Sequence, residues 1–375
     1  MRVMSIFGTR PEAIKMAPVV HALEKASNIE SIVCVTGQHR DMLDQVLDLF
    51  QIHPDEDLNL MRPNQSLHTL TARMIDGLHP LFSKYNPDAV LVHGDTTSCL
   101  AGALSAFYAR IPVGHVEAGL RTNDLTAPFP EEGNRQLTDR ISRWCFAPTP
   151  RSAEILGLEN LSNTEVHVTG NTVIDALLWM RDRLPILPEG HSVYGSASGI
   201  VDDTSTQILL VTGHRRESFG NGFERICRAL KQIAHAHPEL TIIYPVHLNP
   251  NVQRPVYELL SDTSNIHLIS PLGYQDFIRL MDRSHLILTD SGGIQEEAPS
   301  LNKPTLVMRD CTERPEGIDA GVVKLVGTNP QTIVSSVSTL LTNQDAYKAM
   351  SLAQNPYGDG KAAERIASIL GGYNP

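Results

Sequence analysis

The sequence of 375 residues has little cysteine and no long apolar run. Its five cysteines are scattered and never form a Cys-x-x-Cys pair, a pattern that argues against a disulfide framework or a zinc site. We therefore expect reduced core cysteines and no metal. No apolar run approaches the roughly 20 residues that span a bilayer, and the chain enters a strand-like run at once, without a signal-peptide core. These features predict a cytoplasmic protein that does not bind membranes.

The sequence also has few positively charged residues relative to acidic ones. The 31 lysines and arginines are outnumbered by 42 acidic residues, so the net charge is −11. Nucleic acids and anionic membranes select basic surfaces, and neither is therefore an expected partner. A local basic pocket for a phosphate-bearing small molecule is compatible with this charge. The hydrophobic fraction of 41% is typical of a globular protein, and the length suffices for two domains.

Short apolar runs alternate with amphipathic segments along the chain, six before residue 170 and six after it. Near-continuous apolar runs predict strands of parallel sheets that helices cover on both faces. A polar stretch without a clear period, residues 184–207, interrupts the alternation. We therefore predict an α/β fold with two doubly wound, Rossmann-like lobes facing a cleft, the first over residues 1–170 and the second over residues 171–360.

Three acidic residues stand where this fold exposes its functional edge. Asp95 and Glu117 come at the ends of apolar runs, and Glu131 follows a Pro-rich loop. Ligands of α/β sheets bind outside the carboxyl ends of the strands. Three carboxylates at one edge indicate proton chemistry on a bound ligand. The alternative is that they are turn and helix-cap residues, a common use of acids.

The first apolar run ends in a turn that suits anionic oxygens. The turn reads Gly-Thr-Arg-Pro-Glu from residue 8, and the helix that follows carries Lys15. Proline is favoured in a first helical turn, and Arg10 and Lys15 would stand near the positive end of that helix. The sequence contains neither a dinucleotide Gly-x-Gly-x-x-Gly fingerprint nor a P-loop, so no nucleotide cofactor is expected. The alternative is a tight turn with two solvated cations.

The second lobe has a sharper candidate for a diphosphate site. The apolar run 286–289 leads into Asp-Ser-Gly-Gly and then into a helix-like segment. The backbone N–H groups of residues 291–293 would approach a diphosphate without obstruction by side chains. Glu297 lies about one helical turn further on, where it could accept hydrogen bonds from a ribose diol. An ordinary Gly-rich turn is the alternative.

Basic residues follow two other apolar runs of the same lobe. His214, Arg215 and Arg216 come directly after the run 208–212, and Arg314 lies on a later loop. A lone histidine is more often a buried structural residue, but one flanked by two arginines is expected at the surface. One lobe is thus suited to a nucleoside diphosphate, and the other carries acids suited to the remainder of that ligand.

These motifs resemble those of the bacterial non-hydrolysing UDP-N-acetylglucosamine 2-epimerases, in the family's order and over nearly the whole chain. The least similar stretches are residues 195–207 and the loop that leads into Pro130. The matching segments are residues 7–18, 38–47, 92–97, 112–122, 212–220, 244–250, 289–300, 312–317 and 355–360.

The resemblance implies a two-lobed fold of the glycosyltransferase-B type, whose last helix, at about residues 361–375, packs back on the first lobe. It also implies interconversion of UDP-GlcNAc and UDP-ManNAc by a homodimer. Inversion at C2 of a sugar removes a proton that no adjacent carbonyl acidifies. Transient oxidation by a nicotinamide cofactor is one route and expulsion of the C1 group is the other. The missing dinucleotide fingerprint favours elimination of UDP to 2-acetamidoglucal followed by re-addition, which is also how the family works.

The residues and the resemblance together predict the roles of individual side chains. Asp95, Glu117 and Glu131 would share the general base and acid duty, without a decision on which one takes the C2 proton. The departing diphosphate would be stabilised by Arg10, His214 and the amides of Ser291, Gly292 and Gly293. Lys15 would assist there or hold the carboxylates in place. By resemblance, Phe277 would stack near the uracil, Glu297 would bind the ribose, and Arg135 and Arg314 would contact the sugar phosphate. Residues that match a second, allosteric site for UDP-GlcNAc are Gln38, Arg216 and His247.

Three other functions share parts of this pattern. A glycosyltransferase would use the same fold and nucleotide site but needs an acceptor surface, which the sequence does not indicate. A hydrolysing epimerase would release free ManNAc and UDP. A nucleotide-sugar-binding regulator would need the diphosphate site but not the three acids.

Overall fold

The computed structural model describes residues 1–37, 40–60, 62, 65–215 and 219–373, without the side chains of residues 40 and 41. The chain divides into two compact units. An N-terminal unit comprises Met1–Ala176 together with Tyr357–Pro375, and a C-terminal unit comprises Leu177–Pro356. Among the helices of the described ranges, none has the length and apolar character needed to cross a membrane.

The N-terminal unit is built on a parallel sheet, which has seven strands in the part of the chain described. Its order is β3-β2-β1-β4-β5-β6-β7, so the direction of strand addition reverses between β1 and β4. In α/β sheets, ligand sites form at such a reversal, outside the carboxyl ends of the strands. The strands are β1 Arg2–Phe7, β2 Glu30–Val35, β3 Glu56–Asp57, β4 Ala89–His93, β5 Val113–Val116, β6 Trp144–Ala147 and β7 Glu165–Val168.

Helices connect these strands, and the last helix of the chain belongs to the same unit. The carboxylate of Asp175 accepts hydrogen bonds from the backbone N–H groups of Ala362 and Ala363, at 3.2 and 2.8 Å, and so caps that last helix. The helices that begin in this unit are α1 Arg10–Lys25, α2 Arg40–Phe50, α3 Leu67–Tyr85, α4 Thr97–Tyr108, α5 Glu131–Ile141, α6 Pro150–Leu158, α7 Thr172–Arg181 and α16 Ala362–Gly371.

The C-terminal unit repeats the plan with a parallel sheet, of six strands among the described residues. Its order is β10-β9-β8-β11-β12-β13, with the reversal between β8 and β11. The strands are β8 Ile208–Thr212, β9 Thr241–Pro245, β10 Ile266–Ile269, β11 Leu286–Thr289, β12 Thr305–Val307 and β13 Val323–Leu325. The helices are α8 Ser198–Asp202, α9 Asn221–Ala236, α10 Pro250–Leu260, α11 Tyr274–Arg283, α12 Gly292–Glu297, α13 Pro315–Asp319, α14 Pro330–Thr342 and α15 Gln344–Ser351.

The central strands of both sheets are buried on both faces. All five residues of β4 are buried, and Leu209 and Val211 of β8 lie in one cluster with Phe223 of α9 and Ile333 of α14. Burial of this kind stabilises by about 25 cal/mol for each Å² of apolar surface removed from water. It explains the near-continuous apolar strands, and it confirms the prediction of two parallel-sheet α/β units.

The structure corrects the sequence predictions in three places. Strand β3 was missed, since two acidic residues carry no apolar signal. Residues 184–207, predicted to be unpatterned, contain a 3-10 turn at Gly195–Ala197 and the short helix α8. The prediction that every cysteine is a core residue was wrong for Cys311, which is exposed on a loop, whereas the other four are buried and all five are free.

Candidate active site

The carboxyl edge of the N-terminal sheet brings Glu117 and Lys15 together. Glu117 directly follows β5, and its carboxylate forms an ion pair with the ammonium group of Lys15 on α1. The two side chains are only 11% and 16% exposed. The backbone of Glu117 has φ +66°, a conformation that is unfavourable for a residue with a side chain and is concentrated at functional sites. The fold thus holds this carboxylate in one defined position.

A buried histidine lies beside this ion pair. His93 ends β4, its side chain is 4% exposed, and its Nε2 atom lies 3.7 Å from Oε2 of Glu117. Within the described structure neither ring nitrogen of His93 has a hydrogen-bond partner. Burial, opposed in part by the charge of Glu117, lowers the pKa of His93 to about 3. The imidazole is therefore neutral at physiological pH.

The second acid of this edge, Asp95, pairs with an arginine of α5. Its carboxylate accepts a hydrogen bond from Arg135 at 2.6 Å, and its backbone carbonyl accepts one from Asn134 at 2.8 Å. Glu131 is the first residue of α5 and is half-buried. Its neighbour Glu132 is fully buried and accepts hydrogen bonds from the N–H groups of residues 122 and 123, which is a structural role. Glu131 is therefore the acid of this pair that is accessible to a ligand.

The backbone N–H groups of the turn after β1 bind a carboxylate of the protein itself. Glu12 accepts hydrogen bonds from the backbone N–H groups of Gly8 and Thr9, at 2.9 and 2.7 Å, and from the hydroxyl of Thr96. Burial raises the pKa of Glu12 even though these hydrogen bonds act in the opposite direction. The two amides thus have an acceptor within the protein, and Arg10, half-exposed at the start of α1, is the group of this turn that could meet an anion.

In the C-terminal unit, Asp290 positions His214. Asp290 follows β11, is fully buried, and accepts the backbone N–H groups of His214 and Arg215 at 2.8 Å each. Nδ1 of His214 lies 3.3 Å from the other carboxylate oxygen. Burial acts to raise the pKa of Asp290, but the contacts with His214 and Arg215 outweigh it and lower the pKa. An ionised carboxylate therefore holds the backbone at His214, and the imidazole beside it is 44% exposed to solvent.

The glycines at the start of α12, just after Asp290, leave room for the guanidinium group of Arg314. A Cβ atom at Gly292 would lie 2.6 Å from Nη1 of Arg314, so a side chain there would displace this guanidinium group. Arg314 also donates to Glu296 at 2.5 Å and to Glu313 at 2.7 Å. Positive charge and the end of a helix thus coincide, an arrangement that suits phosphate oxygens.

Comparisons with known proteins identify the family. The sequence matches the family model described as UDP-N-acetylglucosamine 2-epimerase over residues 21–371. UDP-N-acetylglucosamine 2-epimerase of Yersinia pestis is 57% identical over 370 residues, which are 99% of this chain and 98% of the relative. The chain belongs to the UDP-N-acetylglucosamine 2-epimerase family.

Solved structures agree with this assignment. UDP-GlcNAc 2-epimerase from Neisseria meningitidis, bound to UDP-GlcNAc, has a TM-score of 0.85 and 49% identity, and the match covers 99% of each chain. The enzyme from Methanocaldococcus jannaschii, in complex with UDP-GlcNAc and UDP, has a TM-score of 0.76 and 34% identity over 99% of each chain. The predictions of the family, of its enzymatic nature and of a glycosyltransferase-B-type fold are confirmed.

The remaining predicted residues of the epimerase lie in several places. Phe277 is half-buried on α11, and Glu297 is half-buried at the end of α12. The ring of His247 stacks on that of His214, with centroids 5.5 Å apart. Gln38 and Arg216 lie outside the described residues.

Two residues of the site were missed by the sequence analysis. His93 precedes Gly-Asp at the end of β4, and Asp290 precedes Ser-Gly-Gly at the end of β11. Both stand at the carboxyl end of a strand, which is the signal that singled out Asp95 and Glu117. The sequence does not distinguish them from structural residues, since a buried histidine and an aspartate in a turn are both common in protein structures.

Proposed function

We propose that this epimerase interconverts UDP-GlcNAc and UDP-ManNAc by eliminating UDP and adding it back. A base takes the C2 proton while the electron pair of the C1–O bond leaves with the diphosphate, which gives 2-acetamidoglucal and UDP. An oxygen of the diphosphate then forms a new bond to C1, and C2 receives a proton on the opposite face. The observation that carries the proposal is the Glu117–Lys15 pair beside Asp95, at the carboxyl edge of the N-terminal sheet.

In this proposal the N-terminal unit performs the proton transfers. Glu117 and Asp95 each form an ion pair with a basic side chain that holds the carboxylate in place, namely Lys15 and Arg135. Glu131 is the third candidate. A carboxylate in the correct protonation state and within reach of C2 contributes about 10²–10⁴-fold to the rate. The three acids share the base and acid roles.

The C-terminal unit stabilises the leaving UDP. His214, held by Asp290, would donate a hydrogen bond to the diphosphate as negative charge develops on it. The backbone of Ser291, Gly292 and Gly293 and the guanidinium of Arg314 would meet the same charge. Phe277 would contact the uracil, Glu297 the ribose, and Arg10 of the N-terminal unit the diphosphate.

One experiment in D₂O tests the proposal. The protein is incubated with UDP-GlcNAc, and the sugar signals are followed by NMR. We expect deuterium at C2 of both UDP-linked sugars as the mixture approaches equilibrium. Each rival function gives its own result. Free ManNAc would indicate a hydrolysing epimerase, UDP release that depends on an added acceptor would indicate a glycosyltransferase, and binding without exchange would indicate a regulator.

We further propose that UDP-GlcNAc activates the enzyme at a second site formed by Gln38, Arg216 and His247. The stacking of His247 on His214 supports a link between this site and the diphosphate site. UDP-ManNAc alone should react slowly, and a trace of UDP-GlcNAc should accelerate it. Initial rates with and without the trace measure the effect. Conversion of UDP-ManNAc alone at full speed, with a hyperbolic rate curve, contradicts activation.

We also propose that the enzyme is a homodimer in the cytoplasm, as the family resemblance implies. Free cysteines, four of them buried, are consistent with a reducing compartment.

A further inference from the structure

A buried ion pair lies directly beneath the candidate acids of the N-terminal unit. His115 on β5 and Asp139 on α5 both have fully buried side chains. Nδ1 of His115 lies 2.6 Å from Oδ1 of Asp139, and Nε2 lies 2.7 Å from the backbone carbonyl oxygen of Gly94. A carbonyl oxygen and an ionised carboxylate only accept hydrogen bonds, whereas a neutral imidazole has a single N–H. If Asp139 is ionised, both ring nitrogens donate and His115 is an imidazolium.

The surroundings of Asp139 keep its carboxylate ionised. Its second oxygen lies 2.7 Å from Nη2 of Arg121 and accepts the N–H of Gly119 at 3.3 Å. Arg121 in turn donates two hydrogen bonds to Glu159, at 2.7 and 3.0 Å. His115, Asp139, Arg121 and Glu159 thus contribute two positive and two negative charges. A balanced network of this kind can be buried because each charge has a partner.

The other groups that face His115 do not oppose its imidazolium state. Cys99 of α4 donates its thiol to the carbonyl of Gly94 at 3.2 Å, and His93 on β4 is neutral. Burial acts to lower the pKa of His115, but Asp139 outweighs it and raises the pKa well above the ordinary value. The positive charge therefore persists through the physiological pH range.

This ion pair connects the three segments that carry the candidate acids. Gly94, whose φ of +70° favours glycine, immediately precedes Asp95. His115 lies on β5, two residues before Glu117, which directly follows that strand. Asp139 belongs to α5, the helix that begins with Glu131. The buried pair therefore contacts or belongs to each of the three segments, while its own side chains are not exposed to a ligand.

We propose that His115 is a positioning residue for epimerisation, which holds the Gly94 carbonyl and α5 in place and thereby fixes Asp95 relative to Glu117. The inference rests on the proposed function, because it concerns the placement of the acids in that reaction. A misplacement of about 1 Å can slow a reaction by about 10²-fold even when it arises far from the reacting atoms. Substrate binding depends on other contacts and should change little.

The substitution His115→Gln tests this role, since glutamine is neutral and cannot donate to Gly94 and Asp139 in the same geometry. We expect kcat to fall by about 10²-fold with little change in KM, which is the sign of an interaction that matters only in the transition state. The matched control is His21→Gln, because His21 also contacts a backbone carbonyl, that of Phe50 at 2.9 Å, but on the opposite half of α1 from Lys15. It should keep the wild-type kcat. A folded His115→Gln enzyme with wild-type kcat overturns the inference.

A second measurement on the wild-type protein is independent of substrate and of any variant. With ¹⁵N-labelled histidine, NMR should show both ring nitrogens of His115 protonated in a range of pH above the ordinary histidine pKa of about 6.5, where a free imidazole is mostly neutral. An unprotonated nitrogen in this range overturns the inference. If His115→Gln does not fold, this spectrum of the wild-type protein tests the inference by itself. A wild-type protein that does not epimerise UDP-GlcNAc defeats the proposed function, whereas an active wild type with an equally active His115→Gln defeats this inference alone.

Discussion

Replacing Glu117 by glutamine is expected to lower kcat by about 10²–10⁴-fold. The amide has the size of the carboxylate but cannot accept the proton that the carboxylate takes up or return it. KM should stay near the wild-type value, because Lys15 and the diphosphate contacts remain. Steady-state kinetics with UDP-GlcNAc measure the loss, and C2 exchange in D₂O shows whether proton abstraction itself has slowed.

The matched control is Glu154→Gln, which removes an exposed carboxylate from α6 of the same unit and should leave kcat unchanged. Asp95→Asn and Glu131→Gln complete the series, and the variant that binds substrate but shows no C2 exchange identifies the base. Near-wild-type kcat and exchange in Glu117→Gln would remove this residue from the mechanism. The same result in all three variants would eliminate proton transfer by these acids altogether.

The arrangement of the sheet could be predicted from the sequence, but the partners of the acids could not. Asp95 and Glu117 follow the ends of two strands, so apolar periodicity alone places them at the carboxyl edge of the sheet. Their cationic partners lie 40 and 102 residues away along the chain, at Arg135 and Lys15. Those contacts depend on how α5 and α1 pack on the sheet, and no local pattern encodes that packing.

The sequence carries a further local signal at the turn after β1. Thr9 and Glu12 have the Thr-x-x-Glu spacing of a capping box, in which the acid reaches back to the first amides of the helix. This spacing indicates that the amides after β1 bind Glu12, and the structure shows this contact. The amides therefore already have an acceptor within the protein. Arg10 therefore remains as the cationic group of this turn that could meet an anion, since Lys15 pairs with Glu117. A capping pattern therefore argues against an anion site at the same backbone amides.

Buried charges are the part of the site that sequence patterns describe least. His115 lies in an apolar run and Asp139 in a helix, so each has an ordinary structural interpretation by itself. Only the three-dimensional contact shows that the two are a charged pair. The stability of the N-terminal unit should therefore depend on this pair more than on any surface charge.

Replacing Asp139 by alanine is expected to reduce the free energy of unfolding of the N-terminal unit by about 3–5 kcal/mol, because it leaves a buried imidazolium without its counter-charge. Arg121 keeps its second partner, Glu159, so His115 carries most of the effect. Urea unfolding measures it. Trp144 is 1% exposed in this unit, and its fluorescence reports on the unit alone once the other tryptophan is removed by Trp179→Phe.

Two comparisons separate charge from packing in this experiment. Asp76→Ala removes an exposed acid from α3 and should change the stability by no more than about 0.5 kcal/mol. The double substitution His115→Gln with Asp139→Asn removes both charges together, so it should be more stable than Asp139→Ala alone, since neutral replacement of a buried pair is tolerated better than loss of one partner. If Asp139→Ala lost less than about 1 kcal/mol, or if the double variant were the less stable of the two, His115 would be neutral in the native protein.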